Sequence, residues 1–371
     1  MVDEKIVHLK AYRYRIFPSV AQTKRMNGTL ALLCELYNAG LQERRDAYRL
    51  ERKTIRYIDQ QNQLPEIKEV RPELKEIHSQ VLQDVLRRLD KAFQAFFRRV
   101  KGRSGKAGFP RFRSRHRYDS FTYAQSGFAL KSGKLRLSKI GDVRIKLHRP
   151  IEGKVKTLTV SRSATGKWYA CFSVEAGAQP IPVNDRAVGI DVGLRTFCTL
   201  STGEKIGQPR FFRRDKKALA KAQRQKRRKA AARIHERLRF RRNNFAHQLS
   251  RALVTLYGAI FFEKLNIQGM VKNHCLALSI SDAAWNQLVS FTSYKAADAG
   301  RLCGQVDPRG TSQRCSNCGA IVAKDLSQRI HECSCGLTLD RDVNAARNIL
   351  ALGLQSVGLR AIEAGRFNHP E

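Results

Sequence analysis

Four cysteines near the C-terminal end of the chain form two close pairs, and a glycine follows each pair. Fourteen residues separate the pairs. This spacing lets four thiolates surround one tetrahedral Zn²⁺ and leaves no coordination position open. A segment this short cannot bury a sufficient apolar core without its metal. The pattern predicts one structural zinc ion, with His331 close enough to replace a ligand, and the predicted ligands are Cys315, Cys318, Cys333 and Cys335.

The other five of the nine cysteines lie in apolar runs and are predicted to belong to the core: Cys34, Cys171, Cys198, Cys275 and Cys303. Nine cysteines in 371 residues are too few for a disulfide scaffold, which indicates a reducing compartment. No apolar run is long enough to span a membrane, and the first residues do not resemble a signal peptide. We therefore expect a cytoplasmic protein without membrane contacts.

The charge of the chain points to a polyanionic partner. Lysine and arginine total 70 against 32 acidic residues, a net charge of +38. Such an excess repels itself unless a polyanion neutralises it. A membrane surface would suit a short basic helix better than charge spread over most of the chain. Nucleic acid is therefore the predicted partner.

Two segments concentrate this charge. The segment 98–117 combines nine basic residues with Phe109 and Phe112 and is followed directly by Tyr118, a mixture suited to phosphate contacts and base stacking. The segment 210–242 holds sixteen basic residues against two acids and is predicted to form one or two basic helices. The alternative for both is a solvated basic surface, which the shortage of acids disfavours. The predicted nucleic-acid contacts are Lys106, Phe109, Arg111, Phe112, Arg113, Arg224, Arg227 and Arg228.

The periodicity of the apolar residues divides the chain into two halves. Alternation predicts a strand over 7–17, helical spacing follows from 21 to about 99, and short β-type runs return from 121 to 174. The first strand is expected to complete an antiparallel sheet or barrel, with the helices as an insertion. In the second half, buried-strand runs at 187–191, 259–263 and 301–307 alternate with helical patterns, which indicates an α/β class.

Three carboxylates lie at the edges of apolar elements: Asp191 and Glu263 end buried-strand runs, and Asp342 begins the last helix. Because burial of an unpaired carboxylate is costly, convergence on divalent cations would explain their placement. The alternatives are a salt bridge for Glu263 and a helix N-cap for Asp342. By composition alone, three other residues look equally suitable: Asp282, Asp298 and Asp307.

The chain resembles the TnpB (OrfB) proteins of bacterial insertion sequences, which are compact relatives of type V CRISPR nucleases. The resemblance runs nearly end to end. It is carried by GKAGFPRF at 105–112, VGIDVGL at 188–194, EKLN at 263–266, DPRGTSQ at 307–313 and DRDVNAARNIL at 340–350.

The resemblance implies a multidomain α/β fold. Residues 184–310 and 337–371 would form a RuvC-like (RNase H-type) nuclease domain, interrupted by a zinc ribbon over 311–336 that binds target nucleic acid. Residues 1–18 and 118–183 would form a wedge-like β-barrel. Residues 19–117 would form a helical recognition domain that carries the basic loop.

The resemblance also implies an RNA-guided, Mg²⁺-dependent DNA endonuclease encoded by an insertion sequence. It would cleave double-stranded DNA that matches a guide RNA from the transposon end, next to a short motif. Asp191, Glu263 and Asp342 would be the catalytic residues and hold two Mg²⁺ ions, with Asp340 as the alternative to Asp342. We expect one protein with one RNA in the bacterial cytoplasm, associated with the nucleoid.

Two other functions belong to different classes. Relatives that have lost a carboxylate act as RNA-guided DNA-binding repressors without cutting, whereas this chain keeps all three carboxylates. A DNA transposase would have to bring two DNA ends together, and no segment has the pattern of a dimerisation coiled coil. Both features favour the nuclease.

Overall fold

The computed structural model describes residues 7–102, 107–131, 133–325 and 328–358. They divide into two compact units, Val7–Ala176 and the described residues from Gly177 onward. Each unit contains both helices and a β-sheet. The chain is therefore a multidomain protein of mixed α/β class, as its two-part periodicity predicts.

The first unit is built on a sheet of seven strands, in the order β2-β6-β7-β1-β5-β4-β3. The rings of Tyr123 in β2 and Phe128 in β3 lie 6.3 Å apart, so the two edge strands approach each other and the barrel is nearly closed. The first strand completes this sheet, as predicted. The strands are β1 Val7–Phe17, β2 Ser120–Tyr123, β3 Phe128–Lys131, β4 Lys134–Leu137, β5 Gly141–Lys146, β6 Lys154–Arg162 and β7 Trp168–Gly177.

The helices of the first unit are inserted between β1 and β2. Ser19 begins α1 with a capping box, because its side-chain oxygen accepts from the Gln22 backbone N–H while the Gln22 side chain accepts from the Ser19 N–H. The helices are α1 Val20–Glu51, α2 Tyr57–Asn62, α3 Leu64–Val70 and α4 Ser79–Lys101, with a 3-10 turn over Pro72–Glu76. The predicted basic loop therefore begins later than expected, since α4 extends to Lys101. Basic residues in its last turn suit the negative end of the helix dipole.

The second unit contains a five-stranded sheet in the order β10-β9-β8-β11-β12. Strands β8, β11 and β12 are parallel, whereas β9 is antiparallel to both of its neighbours. The central strands are buried, which explains why they read as continuous apolar runs. The strands are β8 Ala187–Val192, β9 Thr196–Leu200, β10 Lys205–Gly207, β11 Ala259–Glu263 and β12 Leu302–Val306.

Helices surround this sheet, and a two-stranded ribbon of β13 Ile330–Glu332 and β14 Thr338–Asp340 precedes the last of them. The predicted basic segment forms two helices, α5 and α6. The helices are α5 Phe211–Arg224, α6 Arg228–Leu256, α7 Ile267–Met270, α8 His274–Ala283, α9 Trp285–Asp298 and α10 Arg341–Ser356. In the described ranges, no helix combines the length and apolar character needed to cross a bilayer.

The last helix lies directly on the middle of the second sheet. A Cβ atom at Gly189 in β8 would collide with the backbone of Ala346 and Leu350 in α10. A Cβ atom at Gly353 in α10 would collide with the ring of Phe261 in β11. The two glycines therefore allow a closer approach of helix and sheet than any larger residue would permit.

Candidate active site and metal centre

Two of the predicted acidic residues are neighbours at the carboxyl edge of the second sheet. Strands β8 and β11 pair in parallel with Ile190 opposite Phe262. The next residue on each strand is Asp191 or Glu263. Because residues at the same level on adjacent parallel strands point to the same face, the two carboxylates share one side of the sheet.

The third acidic residue is delivered by the close packing of α10. Ala346 lies against Gly189, and Asp342 is one helical turn before Ala346. Asp191 is two residues after Gly189 on the same face of β8. One turn of helix advances about 5.4 Å and two strand residues about 6.6 Å. The matching spacings bring Asp342 to the same end of the sheet as Asp191, although among the described residues the oxygen atoms of the three acids do not all lie within 4.8 Å of one another.

The electrostatics of the site agree with this placement. Burial, followed by the charges of Glu263 and Asp342, raises the pKa of Asp191 well above its usual value. Burial raises the pKa of Glu263 to about 7. All three side chains are half-buried. Negative charges gathered in such a setting are unfavourable unless a cation joins them.

The three carboxylates differ from the other acids near them. In the part of the chain that the structure describes, none of the three side chains has a hydrogen bond or an ion pair. The helix cap is Asp340, which accepts from the backbone N–H groups of Asp342 at 2.9 Å and Val343 at 3.3 Å and also pairs with Lys205. The N-cap alternative for Asp342 is therefore wrong.

Two of the rival carboxylates have structural partners. Asp282 accepts from the Phe212 backbone N–H and from the Arg242 guanidinium, which joins α8 to the basic helices. Asp307 accepts from the backbone N–H of Arg309 at 3.0 Å in a turn. Asp298 ends α9, and its backbone carbonyl accepts from Gln179. Composition could not separate Asp282 and Asp307 from the three site acids, but the partners of their carboxylates do.

The four cysteines converge as predicted. Their sulfur atoms all lie within 4.8 Å of one another, and among the described residues they are the only such group of three or more His, Cys, Asp or Glu side chains. The Sγ–Sγ distances are 3.7 Å for Cys315–Cys335 and 3.5 Å for Cys318–Cys333. A tetrahedral site with Zn–S bonds of about 2.3 Å requires sulfur separations of about 3.8 Å. The cluster therefore fits a zinc ion.

Each cysteine pair lies on a tight turn. Gly319 and Gly336 both have positive φ angles, 78° and 87°, a conformation that favours glycine. Hydrogen bonds from the Leu337 backbone and the Asn317 amide lower the pKa of Cys335 to about 6, which favours the thiolate. His331 is buried and contacts Lys324 instead of joining the sulfur atoms, so it is not a substitute ligand.

Two buried asparagines connect the cysteine turns to the helix that carries Asp342. The Asn344 side chain accepts from Ser316 N–H at 2.9 Å and donates to the Arg314 carbonyl at 2.8 Å. The Asn348 amide donates to the carbonyls of Thr311 and Arg314. The local sequence pattern does not predict this role, and its one signal is a pair of polar residues four positions apart in a largely buried helix.

The predicted contacts of the basic loop are accessible. Phe109 and Phe112 are 44% and 47% exposed, and Arg111 and Arg113 are exposed as well. Tyr118 is buried beside Tyr37, so the expectation that it stacks on bases is wrong. Lys106 lies outside the described residues. On the basic helices, the predicted contacts surround the turn between α5 and α6 and are all exposed: Arg224, Arg227 and Arg228.

Comparison with known sequences adds three family matches. Residues 171–274 match the family described as "Probable transposase" (OrfB_IS605). Residues 285–349 match "Cas12f1-like, TNB domain". Residues 8–53 match "Helix-turn-helix domain" (HTH_OrfB_IS605), although the structure has one strand and one long helix there.

Individual relatives extend over most of the chain. The "Putative RNA-guided DNA endonuclease" of Streptomyces pristinaespiralis is 38% identical over 93% of this chain and 89% of the relative. The "Putative RNA-guided DNA endonuclease InsQ" of Escherichia coli (strain K12) is 30% identical over 93% of this chain and 92% of the relative. The "CRISPR-associated endodeoxyribonuclease Cas12f1" of Sulfoacidibacillus thermotolerans is 40% identical over 19% of this chain and 17% of the relative. The chain therefore belongs to the TnpB (OrfB) family of insertion-sequence RNA-guided nucleases, relatives of the type V CRISPR effectors.

Proposed function

We propose that this protein is an RNA-guided, Mg²⁺-dependent DNA endonuclease encoded by an insertion sequence. It cleaves DNA that matches a transposon-derived guide RNA next to a short motif. One observation supports the proposal: Asp191 and Glu263 follow a matched pair on the parallel strands β8 and β11, and the charges of Glu263 and Asp342 both act on Asp191. The names of the relatives support the same activity.

The topology of the second sheet supports a RuvC-like assignment. A meander of three strands followed by two parallel strands, in the order third-second-first-fourth-fifth, is the arrangement expected of an RNase H-type domain. We assign residues 184–310 and 337–371 to this domain and 311–336 to the zinc ribbon. We assign residues 1–18 and 118–183 to the wedge barrel, and 19–117 to the recognition helices.

Asp191 is the central ligand of the proposed site. In this proposal Asp191 would share one ion with Glu263 on the neighbouring strand and one with Asp342 on α10, which is consistent with the effect of both charges on Asp191. Two bound Mg²⁺ ions would supply activation of the attacking water and stabilisation of the leaving oxygen. Cation binding would hold all three carboxylates ionised, against the burial that otherwise raises the pKa values of Asp191 and Glu263.

The remaining predicted residues serve binding in this proposal. Cys315, Cys318, Cys333 and Cys335 hold one structural zinc ion, and the basic loop and the turn between α5 and α6 contact the nucleic-acid backbone. Because each phosphate contact releases counterions, affinity for guide RNA should fall steeply with salt. We propose that one protein acts with one RNA.

The test is cleavage of a matched plasmid by purified protein, its element-end RNA and Mg²⁺. Linearisation should require guide complementarity and should fall about 1,000-fold in Asp191→Asn, because a ligand shared by both ions is lost. Asp307→Asn is the matched control, since this carboxylate only closes a turn, and it should cut normally. Guided binding without cutting would identify a repressor, and joined DNA products would identify a transposase.

A further inference from the structure

A cavity of about 720 Å³ lies in the first unit, between the C-terminal half of α1, residues 52–56 and α4. Its size falls within the range of about 300–1,000 Å³ that is usual for ligand pockets. The cavity is separate from the acidic site and from the cysteine cluster in the chain, because all of its lining residues lie between 44 and 109.

Four phenylalanine rings form one wall of the cavity. Phe109 packs edge-on against Phe93 at 5.5 Å and against Phe96 at 5.3 Å, and Phe97 lies 5.2 Å from Phe96. Two rings remain open to solvent, since Phe97 is 51% and Phe109 44% exposed. An aromatic cluster left half-open offers stacking surface to a planar partner.

Cations dominate the rest of the lining. Only one lining residue is an acid, Asp90, which is paired with Arg44 at 3.0 Å; Asp46, outside the lining, lies 3.9 Å from Arg45 and 4.0 Å from Arg49. The guanidinium of Arg52 lies 5.5 Å from the ring of Tyr48, itself 56% exposed. Besides Arg44, the cations of the lining are Arg45, Arg49, Arg52, Lys53 and Arg56. The occupant that this lining favours is therefore both aromatic and anionic.

We propose that this cavity binds one unpaired nucleotide of the nucleic acid that the protein holds. The base stacks on the open phenylalanine wall, and the phosphates on either side of it contact Arg49 and Arg52. The inference rests on the proposed function only in that the chain binds nucleic acid. An acidic peptide would satisfy the cations, but a heterocyclic base satisfies the rings and the cations together.

The test uses the full-length protein and end-labelled 20-base-pair duplexes at one salt concentration, as RNA and as DNA. Each duplex is prepared fully paired, with one unpaired 2-aminopurine, and with one abasic bulge. We expect the bulged duplex to bind about tenfold tighter than the paired one, because base–aromatic stacking contributes that much. The 2-aminopurine emission should fall on binding, and the abasic bulge should show no preference. Comparison of the RNA and DNA duplexes identifies whether RNA or DNA supplies the nucleotide.

Two variants test whether the preference for the bulged duplex depends on the cavity. Phe97→Ala should abolish it without changing the affinity for paired duplex, and the half-exposed position makes the change compatible with folding. Arg49→Gln should weaken bulge binding about threefold more than Lys24→Gln, which removes the same charge from an exposed position on the same helix.

Three results would overturn the inference: equal affinities for bulged and paired duplexes, a preference that survives Phe97→Ala, or an acidic aromatic peptide that binds more tightly in a Phe97-dependent way. The assay measures binding and no cleavage, so its outcome is separate from the test of the acidic site. A loss of the preference with intact cutting contradicts the cavity assignment alone. Absence of guided cutting with an intact preference contradicts the proposed function alone.

Discussion

The cysteine cluster and the acidic site of the second unit are assembled in opposite ways. The four cysteines come from residues 315–335, and their sulfur atoms are already at tetrahedral spacing. The three acids are more than seventy positions apart in sequence, and strand pairing and helix packing bring them to one end of the sheet. A closed site made of neighbours suits a structural metal, whereas an open site made of distant elements suits chemistry.

Cys315→Ser should have the largest effect on the cysteine side of this comparison. The variant should lose the single zinc equivalent and the fold of 311–336, because the ribbon has too little core to be stable without metal. Metal analysis and limited proteolysis measure both losses. Cys303→Ser is the matched control, since Cys303 is outside the cluster. A Cys315→Ser protein that retains stoichiometric zinc would contradict the four-cysteine site.

Gly189→Ala should damage the acidic site and spare the cysteine site. The added methyl group meets the backbone of α10, so we expect a loss of about 3 kcal/mol of stability. Cleavage should fall at least about 100-fold as Asp342 is displaced. Gly207→Ala on the same sheet is the control, because no atom lies within 4 Å of its added Cβ. Full cleavage by Gly189→Ala would show that close packing of α10 is dispensable.

The acidic site should also make stability depend on pH when no metal is bound. The folded state keeps the Glu263 proton up to a pKa of about 7, whereas the unfolded chain releases it near 4.5. Stability should therefore fall by up to about 3 kcal/mol as the pH rises from 4.5 to 7. Mg²⁺ should stabilise the protein more at pH 8 than at pH 5, as measured by thermal unfolding.

Glu263→Gln sharpens this pH prediction, because an amide has no proton to release. The variant should be more stable than the parent at pH 8 without metal and should gain less from Mg²⁺. Glu204→Gln, an exposed residue in the turn between β9 and β10, should retain the parental pH profile. Identical pH profiles for Glu263→Gln and the parent would remove Glu263 from the site.

The smallest effect tests the connection between the two sites. Asn348→Ala removes two hydrogen bonds to the carbonyls of Thr311 and Arg314, at a cost of about 1–3 kcal/mol. Zinc should exchange faster in this variant, and cleavage should fall a few fold. Arg347→Ala, exposed on the same helix, is the control. Unchanged zinc exchange in Asn348→Ala would mean that the asparagine does not hold the ribbon.

The sequence predicted what depends on local spacing. The zinc ligands, most strands of the two sheets and the helical character of the basic segment follow from patterns within a few residues of one another, whereas these patterns do not predict the short edge strand β10. The choice of the three site carboxylates among the acidic residues does not follow from such local patterns. Asp282 and Asp191 both belong to apolar elements, and only tertiary partners show that Asp282 is already bound to Arg242. The family resemblance supplied the choice that composition left open.

The predictions that are wrong have the same physical origin. The basic run before Tyr118 predicts a stacking role for this residue, but its ring packs beside Tyr37 in the core of the first unit. His331 was close to the cysteines in sequence, yet it is buried against Lys324. Burial depends on contacts between distant segments, which no local pattern contains.

Helix α10 also limits how the cysteine-containing segment 311–336 can be exchanged for one from another protein. A graft of residues 311–336 alone would replace the hydrogen-bond partners of Asn344 and Asn348. Two buried amides would then lack partners on the helix that carries Asp342. The smallest portable unit is therefore 311–350, and a designer who transplants it also transplants Asp342 of the proposed acidic site together with the cysteine cluster.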